Sequence, residues 1–197
     1  MTIEKSKISA IIELTVQQLP KTRKVGKHMN TLIVFFSRAD ENYFGGAMKY
    51  VEVGNTEIAV GHIKELTGFD SFKLEMTKPY SADYMTCIEE AKAHLRENAR
   101  PELKTLPDSI EPYDSIILAY PNYWGTMPMA VFTFLDAFDF SGKTIYPLCT
   151  NEGSGLGKSV SDIKKYASVG EGLSLTGSTV SKAKPQIEKW LTNNHII

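Results

Sequence analysis

A long polar segment joins two short groups of residues that could bind a phosphate. Ser37 and Arg38 open the segment, and Asn55 and Thr56 close it where a helix is predicted to begin. Hydroxyl, amide and guanidinium groups donate hydrogen bonds to phosphate oxygens, and a helix N-terminus adds free N–H groups and a partial positive charge. Either these groups meet in a phosphate site that carries an insertion, or they belong to an ordinary surface loop before a capped helix.

The segment YPNYWGTMP, residues 120–128, places two large aromatic side chains directly after an apolar run. If Tyr123 and Trp124 are exposed, a flat conjugated ring is a suitable partner, because aromatic surfaces stack on one another. The alternative is that both side chains fold back and cover the end of the sheet.

The segment TNEGSGLGKSV, residues 150–160, is rich in glycine, which allows backbone N–H groups to approach a ligand closely. It is not a triphosphate-binding P-loop, because Glu152 stands where that motif needs its first glycine. It is not a dinucleotide fingerprint either, since Lys158 stands at the third glycine position and the segment follows the fourth predicted strand. A nucleotide triphosphatase and a Rossmann dehydrogenase are therefore not supported.

No catalytic residue and no metal ligand is predicted. The four histidines are scattered along the chain without metal-ligand spacing. Cys87 and Cys149 are interpreted as packed thiols, and no Ser-His-Asp set can be assembled from the sequence.

Strand and helix patterns alternate from residue 30 onward, and these elements must position the three loops. Strands are predicted at 31–37, 71–76, 113–121, 143–150 and 170–177. Helices are predicted at 55–68, 81–98, 127–139, 153–167 and 181–194. Asn55 or Thr56 is expected to cap the first helix, and Ser81 the second. Five β/α units predict an α/β three-layer sandwich around a five-stranded parallel sheet.

The apolar content of the strands predicts their order in the sheet. The first, third and fourth strands are the most apolar and should be central, which fits the order 2-1-3-4-5. In that order a ligand is expected at the carboxyl ends of the strands, beside the topological switch between the first and third strands. The three loops described above all leave the sheet at this edge.

Composition and charge indicate one globular domain. The chain has 197 residues, of which 42% are hydrophobic and 23% charged. The two cysteines form no disulfide framework, so a reducing, cytoplasmic location is expected. No apolar run approaches the ~20 residues that span a bilayer.

The charges are unevenly distributed along the chain. Residues 1–29 carry a formal charge of +4, which leaves −5 for the rest of the chain and argues against a nucleic-acid partner.

Residues 1–29 form a basic N-terminal arm. Within it, ISAIIELTVQQL could fold as a short amphipathic helix with Ile8, Ile12, Val16 and Leu19 along one side. The arm is interpreted either as a docking helix or as sequence upstream of a start at Met29, and no secretory signal is indicated. The domain is predicted to span residues 30–197.

Taken together, the three loops resemble the signatures of the flavodoxin family, in a branch with a long first loop. LIVFFSRADENY…VEVGNTE, PNYWGTMPMAVFTFLD and TNEGSGLGKS occur in the family's order, and the likeness extends from about residue 30 to 195. The resemblance implies a flavodoxin-like fold and a non-covalent FMN. It assigns the phosphate to Ser37, Arg38, Ala39, Asn55 and Thr56, the isoalloxazine to Pro121, Asn122, Tyr123, Trp124 and Gly125, and the pyrimidine side to Thr150, Asn151, Glu152, Gly153 and Gly155.

The resemblance also implies a redox role. The first hypothesis is electron transfer with a redox partner protein, and the absence of a clear acid or base favours it. The alternative is an FMN-dependent NAD(P)H oxidoreductase that reduces a quinone or a similar small acceptor, and a flavin-binding sensory module is a third reading. The body charge of only −5 favours an enzyme or a specialised partner, because short-chain flavodoxins are strongly acidic around the flavin.

The excursion from Asp40 to Val53 is the least determined part of the first loop. It could be an inert hairpin, a lid over the flavin, or a contact surface for a partner or a second subunit, in which case the chain would form a homodimer.

Overall fold

The computed structural model describes residues 29–197, so the predicted N-terminal helix lies outside the described residues. The strands are β1 Thr31–Phe35, β2 Asp40–Phe44, β3 Ala47–Val51, β4 Ser71–Lys73, β5 Ser115–Pro121, β6 Thr144–Asn151, β7 Ser168–Val169 and β8 Leu173–Thr176. The main sheet has the order β4-β1-β5-β6, and β7 and β8 both pair with β6. All of its pairings are parallel. The predicted order 2-1-3-4-5 is thus confirmed.

The fifth position of the sheet is divided between two short strands instead of the single predicted one. β7 pairs with Thr144 and Ile145, whereas β8 pairs with Leu148–Asn151. Pro147 lies between the two pairings and has no N–H to donate to a neighbouring strand. A Cβ at Gly170, in the link between β7 and β8, would lie 2.2 Å from the Tyr146 ring, so glycine is required where this link crosses β6.

The helices cover both faces of the main sheet. They are α1 Asn55–Thr67, α2 Tyr84–Arg96, α3 Met129–Ala137, α4 Ser159–Ile163 and α5 Lys184–Asn193, and a 3-10 helix spans Gly177–Lys182. The fourth helix is much shorter than the predicted 153–167, because turns occupy most of its glycine-rich first half. Within the described part of the chain, no helix is long and apolar enough to cross a membrane.

The caps of the first two helices differ from the prediction. The N-cap of α1 is Gly54, and the Ser37 hydroxyl of the preceding loop accepts a hydrogen bond from Glu57 N at 3.1 Å. The N-cap of α2 is Asp83, whose carboxylate accepts from Thr86 N at 2.7 Å. Ser81, the predicted cap, lies two residues before Asp83.

Alternate residues of the central strands face two separate cores. Val34 and Leu118 point to the side that α2 and α3 cover, and Ile33 and Ile117 point to the side that α1 and α5 cover. This alternation is the two-residue period of a strand that is buried on both faces. The central strands are therefore fixed from both sides, and the loops that leave their carboxyl ends are held in place.

The Asp40–Val53 excursion folds as a β-hairpin outside the main sheet. β2 and β3 pair in antiparallel register, with Tyr43 opposite Met48 and Phe44 opposite Ala47. Gly45 and Gly46 form the turn with φ of 61° and 79°. Two consecutive positive φ values are what a two-residue hairpin turn of the I′ type requires, and glycine adopts them without strain.

Candidate functional site

A cavity of about 350 Å³ lies at the carboxyl edge of the sheet, between the hairpin and the loops that follow β1, β5 and β6. This is the edge beside the topological switch, where β1 is flanked by β4 and β5. Its lining comprises Ser37, Arg38, Asn42, Tyr43, Asn55, Thr56, Tyr84, Ile88, Ala91, Pro121, Asn122, Tyr123, Trp124, Thr150, Asn151, Glu152, Ser154 and Gly177.

Eleven of the fifteen residues predicted for the cofactor line this one cavity. The other four are Ala39, Gly125, Gly153 and Gly155. Ala39 instead lines a smaller cavity of about 160 Å³ beside the first loop. Gly125 O accepts a hydrogen bond from Lys158 N, and Gly155 O accepts one from Asn122 Nδ2. These glycines therefore join the second loop, residues 120–128, to the third loop, residues 150–160.

The start of α1 forms a polar end of the cavity. Thr56 is fully buried, and its hydroxyl lies 2.8 Å from the Thr150 hydroxyl at the end of β6. The N–H groups of Asn55 and Thr56 belong to the first helical turn, which has no acceptor within its own helix. A Cβ at Gly54 would lie 2.3 Å from Arg38 O, so glycine is needed for the first loop to approach the helix start this closely. This end therefore combines features that favour an anion.

Arg38 is engaged with protein groups instead of pointing freely into solvent or the cavity. Its guanidinium donates to Ser81 O at 2.6 Å, Ala82 O at 2.8 Å and Glu41 O at 2.6 Å. It also donates to Asn42 Oδ1 at 3.3 Å. Arg38 thus braces the base of the hairpin against the loop before α2, and its charge remains at the cavity wall.

The two aromatic residues of the second loop behave differently from each other. Tyr123 is partly buried and makes ring contacts with Phe36 and Tyr80. Its hydroxyl lies 3.8 Å from Cys87 Sγ, and burial raises its pKa well above the ordinary tyrosine value. Tyr123 therefore covers the end of the sheet while one part of it still lines the cavity.

Trp124 stays at the cavity mouth, with 45% of its surface exposed. Its φ of 55° is uncommon for a bulky residue, and its indole N–H donates to Ile88 O at 2.8 Å. The Lys92 ammonium lies 4.8 Å from the ring centre. An unfavourable backbone conformation that is held by a hydrogen bond is a feature often found at binding sites.

Two asparagines order the second and third loops. Asn122 Oδ1 accepts from Gly125 N, and Asn151 Oδ1 accepts from both Gly153 N and Gly155 N, each at 2.9 Å. The two glycine N–H groups of the third loop are therefore directed at Asn151, whereas the sequence suggested that such groups would face a ligand.

Glu152 connects the third loop to the hairpin. Its carboxylate accepts from Gly45 N at 3.1 Å and from Ser178 N at 2.7 Å. The residue lines the cavity, but its oxygens are engaged with two backbone N–H groups. In the part of the chain that the structure describes, Arg38 and Glu152 are the charged side chains that line the cavity. No group of three or more His, Cys, Asp or Glu within residues 29–197 is placed to hold a metal ion.

Seven lining residues were not predicted: Asn42, Tyr43, Tyr84, Ile88, Ala91, Ser154 and Gly177. A sequence signal for the hairpin residues Asn42 and Tyr43 was present, since a Gly-Gly dipeptide at 45–46 separates two short runs that contain aromatic residues. The stripe of Tyr84, Ile88 and Ala91 at i, i+4 and i+7 also marks one face of α2, but such a stripe is indistinguishable from a core face in sequence.

A flavodoxin family model matches residues 47–194. A solved protein assigned as a flavoprotein from Bacteroides eggerthii is 23% identical, with a TM-score of 0.69 over 86% of this chain and 99% of that chain. A flavoprotein in complex with FMN from Lactobacillus acidophilus is 18% identical, with a TM-score of 0.55 over 78% of this chain and 97% of that chain.

These structural likenesses show the fold, and no curated protein matches the chain. The family match covers most of the chain and includes the second and third loops. The chain belongs to the flavodoxin family.

Proposed function

We propose that the protein binds FMN in the cavity and acts in electron transfer. The proposal is carried by the combination of groups that line this one cavity. Asn55 and Thr56, in the first turn of α1, line it together with the aromatic rings of Trp124, Tyr84 and Tyr43. FMN presents the matching groups, a dianionic phosphate for the helix start and a flat ring for the aromatic side chains.

The cavity suits a ligand of this class in size and chemistry. Its volume of about 350 Å³ falls within the range of small-molecule sites, roughly 300–1,000 Å³. Ser37, Asn55 and Thr56 offer neutral donors at the helix start, and Arg38 supplies positive charge nearby. The structurally similar flavoprotein from Lactobacillus acidophilus was solved in complex with FMN, which supports the same ligand here.

The predicted roles can be refined by the contacts. We expect Ser37, Asn55 and Thr56 to hold the phosphate and Trp124 to contact the ring. Three further groups shape the site indirectly: Arg38 with Ala39 in the first loop, Pro121 with Asn122, Tyr123 and Gly125 in the second, and Thr150 with Asn151, Glu152, Gly153 and Gly155 in the third.

The chemistry of electron transfer would reside in the FMN, which accepts and donates one or two electrons when bound. The protein's part is to bind and orient it. Both charged lining residues, Arg38 and Glu152, are engaged in hydrogen bonds to backbone groups. Burial raises the pKa of Tyr84 and of Tyr123. The described lining thus offers no side chain set up as a general acid or base, which favours a carrier.

The surroundings of the cavity mouth suit a protein partner. Tyr43 and Trp124 line the cavity and are exposed, and Met48 and Tyr50 are exposed on the hairpin face that carries Tyr43. A concentration of exposed apolar side chains is typical of a contact surface. Such a surface would let a redox partner approach the flavin without relying on a strong charge.

The alternative is an FMN-dependent NAD(P)H oxidoreductase that reduces a quinone or a similar small acceptor. One feature favours it: the ring centroids of Tyr43 and Tyr84 lie 6.3 Å apart at the cavity, where a planar acceptor could rest against them. Neither ring is needed for phosphate binding.

One experiment separates the two functions. The protein is reconstituted with FMN, and NADH or NADPH oxidation is followed with a quinone under air-free conditions. We expect negligible turnover, together with reversible reduction of the bound FMN by a chemical reductant and its reoxidation by a separate redox protein. Sustained turnover with no partner protein would contradict the carrier function and support the oxidoreductase.

A further inference from the structure

We propose that Glu152 is a positioning residue that fastens the hairpin β2–β3 as a strap across the cavity and so controls how long the cofactor stays bound. The proposal rests on the proposed binding of FMN. It follows from how differently the two ends of the hairpin are attached to the domain.

The base of the hairpin is held by many bonds. The Arg38 guanidinium donates to the carbonyl groups of Ser81 and Ala82. Glu41 N donates to Ala82 O at 3.2 Å, and the Glu41 carboxylate accepts from Tyr84 N at 3.0 Å. These bonds join β2 to the start of α2, so the base stays in place if one of them is lost.

The tip of the hairpin is held differently. In residues 29–197, the hydrogen bond that joins the Gly45–Gly46 turn to the rest of the domain runs from Gly45 N to Glu152. The same carboxylate accepts from Ser178 N at the start of the 3-10 helix. Gly177 makes this junction tight, because a Cβ there would lie 2.4 Å from Asn55 Nδ2 and 2.9 Å from Glu152 Oε1.

The two attachments join the hairpin to different parts of the cavity wall. The base is joined to Tyr84, and the tip is joined beside Glu152 and Gly177, all of which line the cavity. Asn42 and Tyr43, between the attachments, supply the hairpin's part of the lining. Release of the tip would therefore move this wall away while the base remains attached, which opens a path for the cofactor.

The test compares Glu152→Ala and Glu152→Gln with Glu188→Gln, an exposed control on α5. Hydrogen exchange of the Gly45 and Ser178 amides is measured without FMN, and the FMN dissociation rate is then measured by stopped flow. Glu152→Ala should raise both amide exchange rates and the dissociation rate by about fivefold to tenfold, the scale of one or two lost hydrogen bonds. Glu152→Gln should give a smaller increase, because its amide keeps one acceptor oxygen. Glu188→Gln should leave all three rates unchanged.

A double-mutant cycle with Tyr43→Ala separates positioning from direct contact. If Glu152 acts through the strap, Glu152→Ala should raise the FMN dissociation rate less in the Tyr43→Ala background than in the wild type. Fully independent effects would mean that Glu152 contacts FMN itself, and the proposal would be wrong. It would also be wrong if Gly45 exchange does not respond to Glu152→Ala. If the wild type binds no FMN, the proposed function fails, and the exchange data still decide whether Glu152 holds the tip.

Discussion

The hydroxyl groups of Thr56 and Thr150 lie 2.8 Å apart at the buried floor of the cavity. Thr56 belongs to the first turn of α1, and Thr150 lies near the carboxyl end of β6. This contact joins the helix that follows β1 to the end of β6. It lies beside the topological switch between β1 and β5. It fixes the spacing between the polar end of the cavity and the loop that follows β6.

The contact leads to a prediction for Thr56→Ala. The loss of the hydroxyl should weaken FMN binding by about 1–2 kcal/mol, because a buried donor next to the helix start is removed. Riboflavin, which has no phosphate, should lose much less affinity. Titration of both ligands measures the difference, and Thr192→Ala on α5 is the control. Equal losses for FMN and riboflavin would contradict the assignment of Thr56 to the phosphate.

Trp124→Ala should weaken FMN binding by about 1–2 kcal/mol, the scale of a lost aromatic stack. Met85→Ala removes another exposed apolar side chain, one that does not line the cavity, and it should leave the affinity for FMN unchanged. Fluorescence titration with FMN measures both. An unchanged affinity for Trp124→Ala would show that the ring rests elsewhere.

Two glycines of α1 should respond oppositely to alanine. At Gly54 the added Cβ would lie 2.3 Å from Arg38 O and 2.4 Å from Ser37 Oγ, so the first loop must shift and the protein should lose stability. At Gly61, inside the helix, nothing lies within 4 Å of the new Cβ. Gly61→Ala should therefore stabilise the protein by about 0.5–1 kcal/mol. Urea unfolding of both variants tests this, and an unaffected Gly54→Ala would show that the loop is not packed against the helix start.

The cap of α2 predicts a pH dependence of stability. The hydrogen bond from Thr86 lowers the pKa of the Asp83 carboxyl below its ordinary value of 3.8. Its stabilising contribution is thus present above pH 3.8 and is lost as the pH falls through the folded-state pKa. Asp83→Ala should have a lower free energy of unfolding than the wild type at pH 7, and this difference should become smaller in acid. Asp83→Asn should retain most of the stability without this narrowing, because asparagine also caps helices. If the difference in unfolding free energy stayed constant from pH 7 to pH 3, the ionised Asp83 carboxylate would not be the cap that stabilises α2.

The sheet was predictable because its signals are local and strong. Residues such as Ile33 and Ile117 lie in short, continuous apolar runs, which are typical of strands buried on both faces. The motifs at residues 120–128 and 150–160 follow such strands directly, so their meeting at one edge follows from topology alone.

Details of the site depended on tertiary contacts that sequence does not encode locally. Ser37 caps α1 from 20 positions away, which no local cap motif could indicate. Arg38 and Glu152 are assigned to the cofactor by resemblance, and nothing in the sequence indicates that their hydrogen bonds also hold the hairpin. The division of the fifth strand goes with the close approach of Gly170 to Tyr146, a contact between the β7–β8 link and β6.

FMN binding in the cavity at the carboxyl edge of the sheet underlies every role proposed above. The most direct test is equilibrium titration of the purified, ligand-free protein with FMN, followed by isothermal calorimetry or quenching of flavin fluorescence. We expect one FMN per chain and weaker binding of riboflavin, because only FMN presents a phosphate to the start of α1. Absence of saturable FMN binding, or equal affinity for riboflavin, would contradict it.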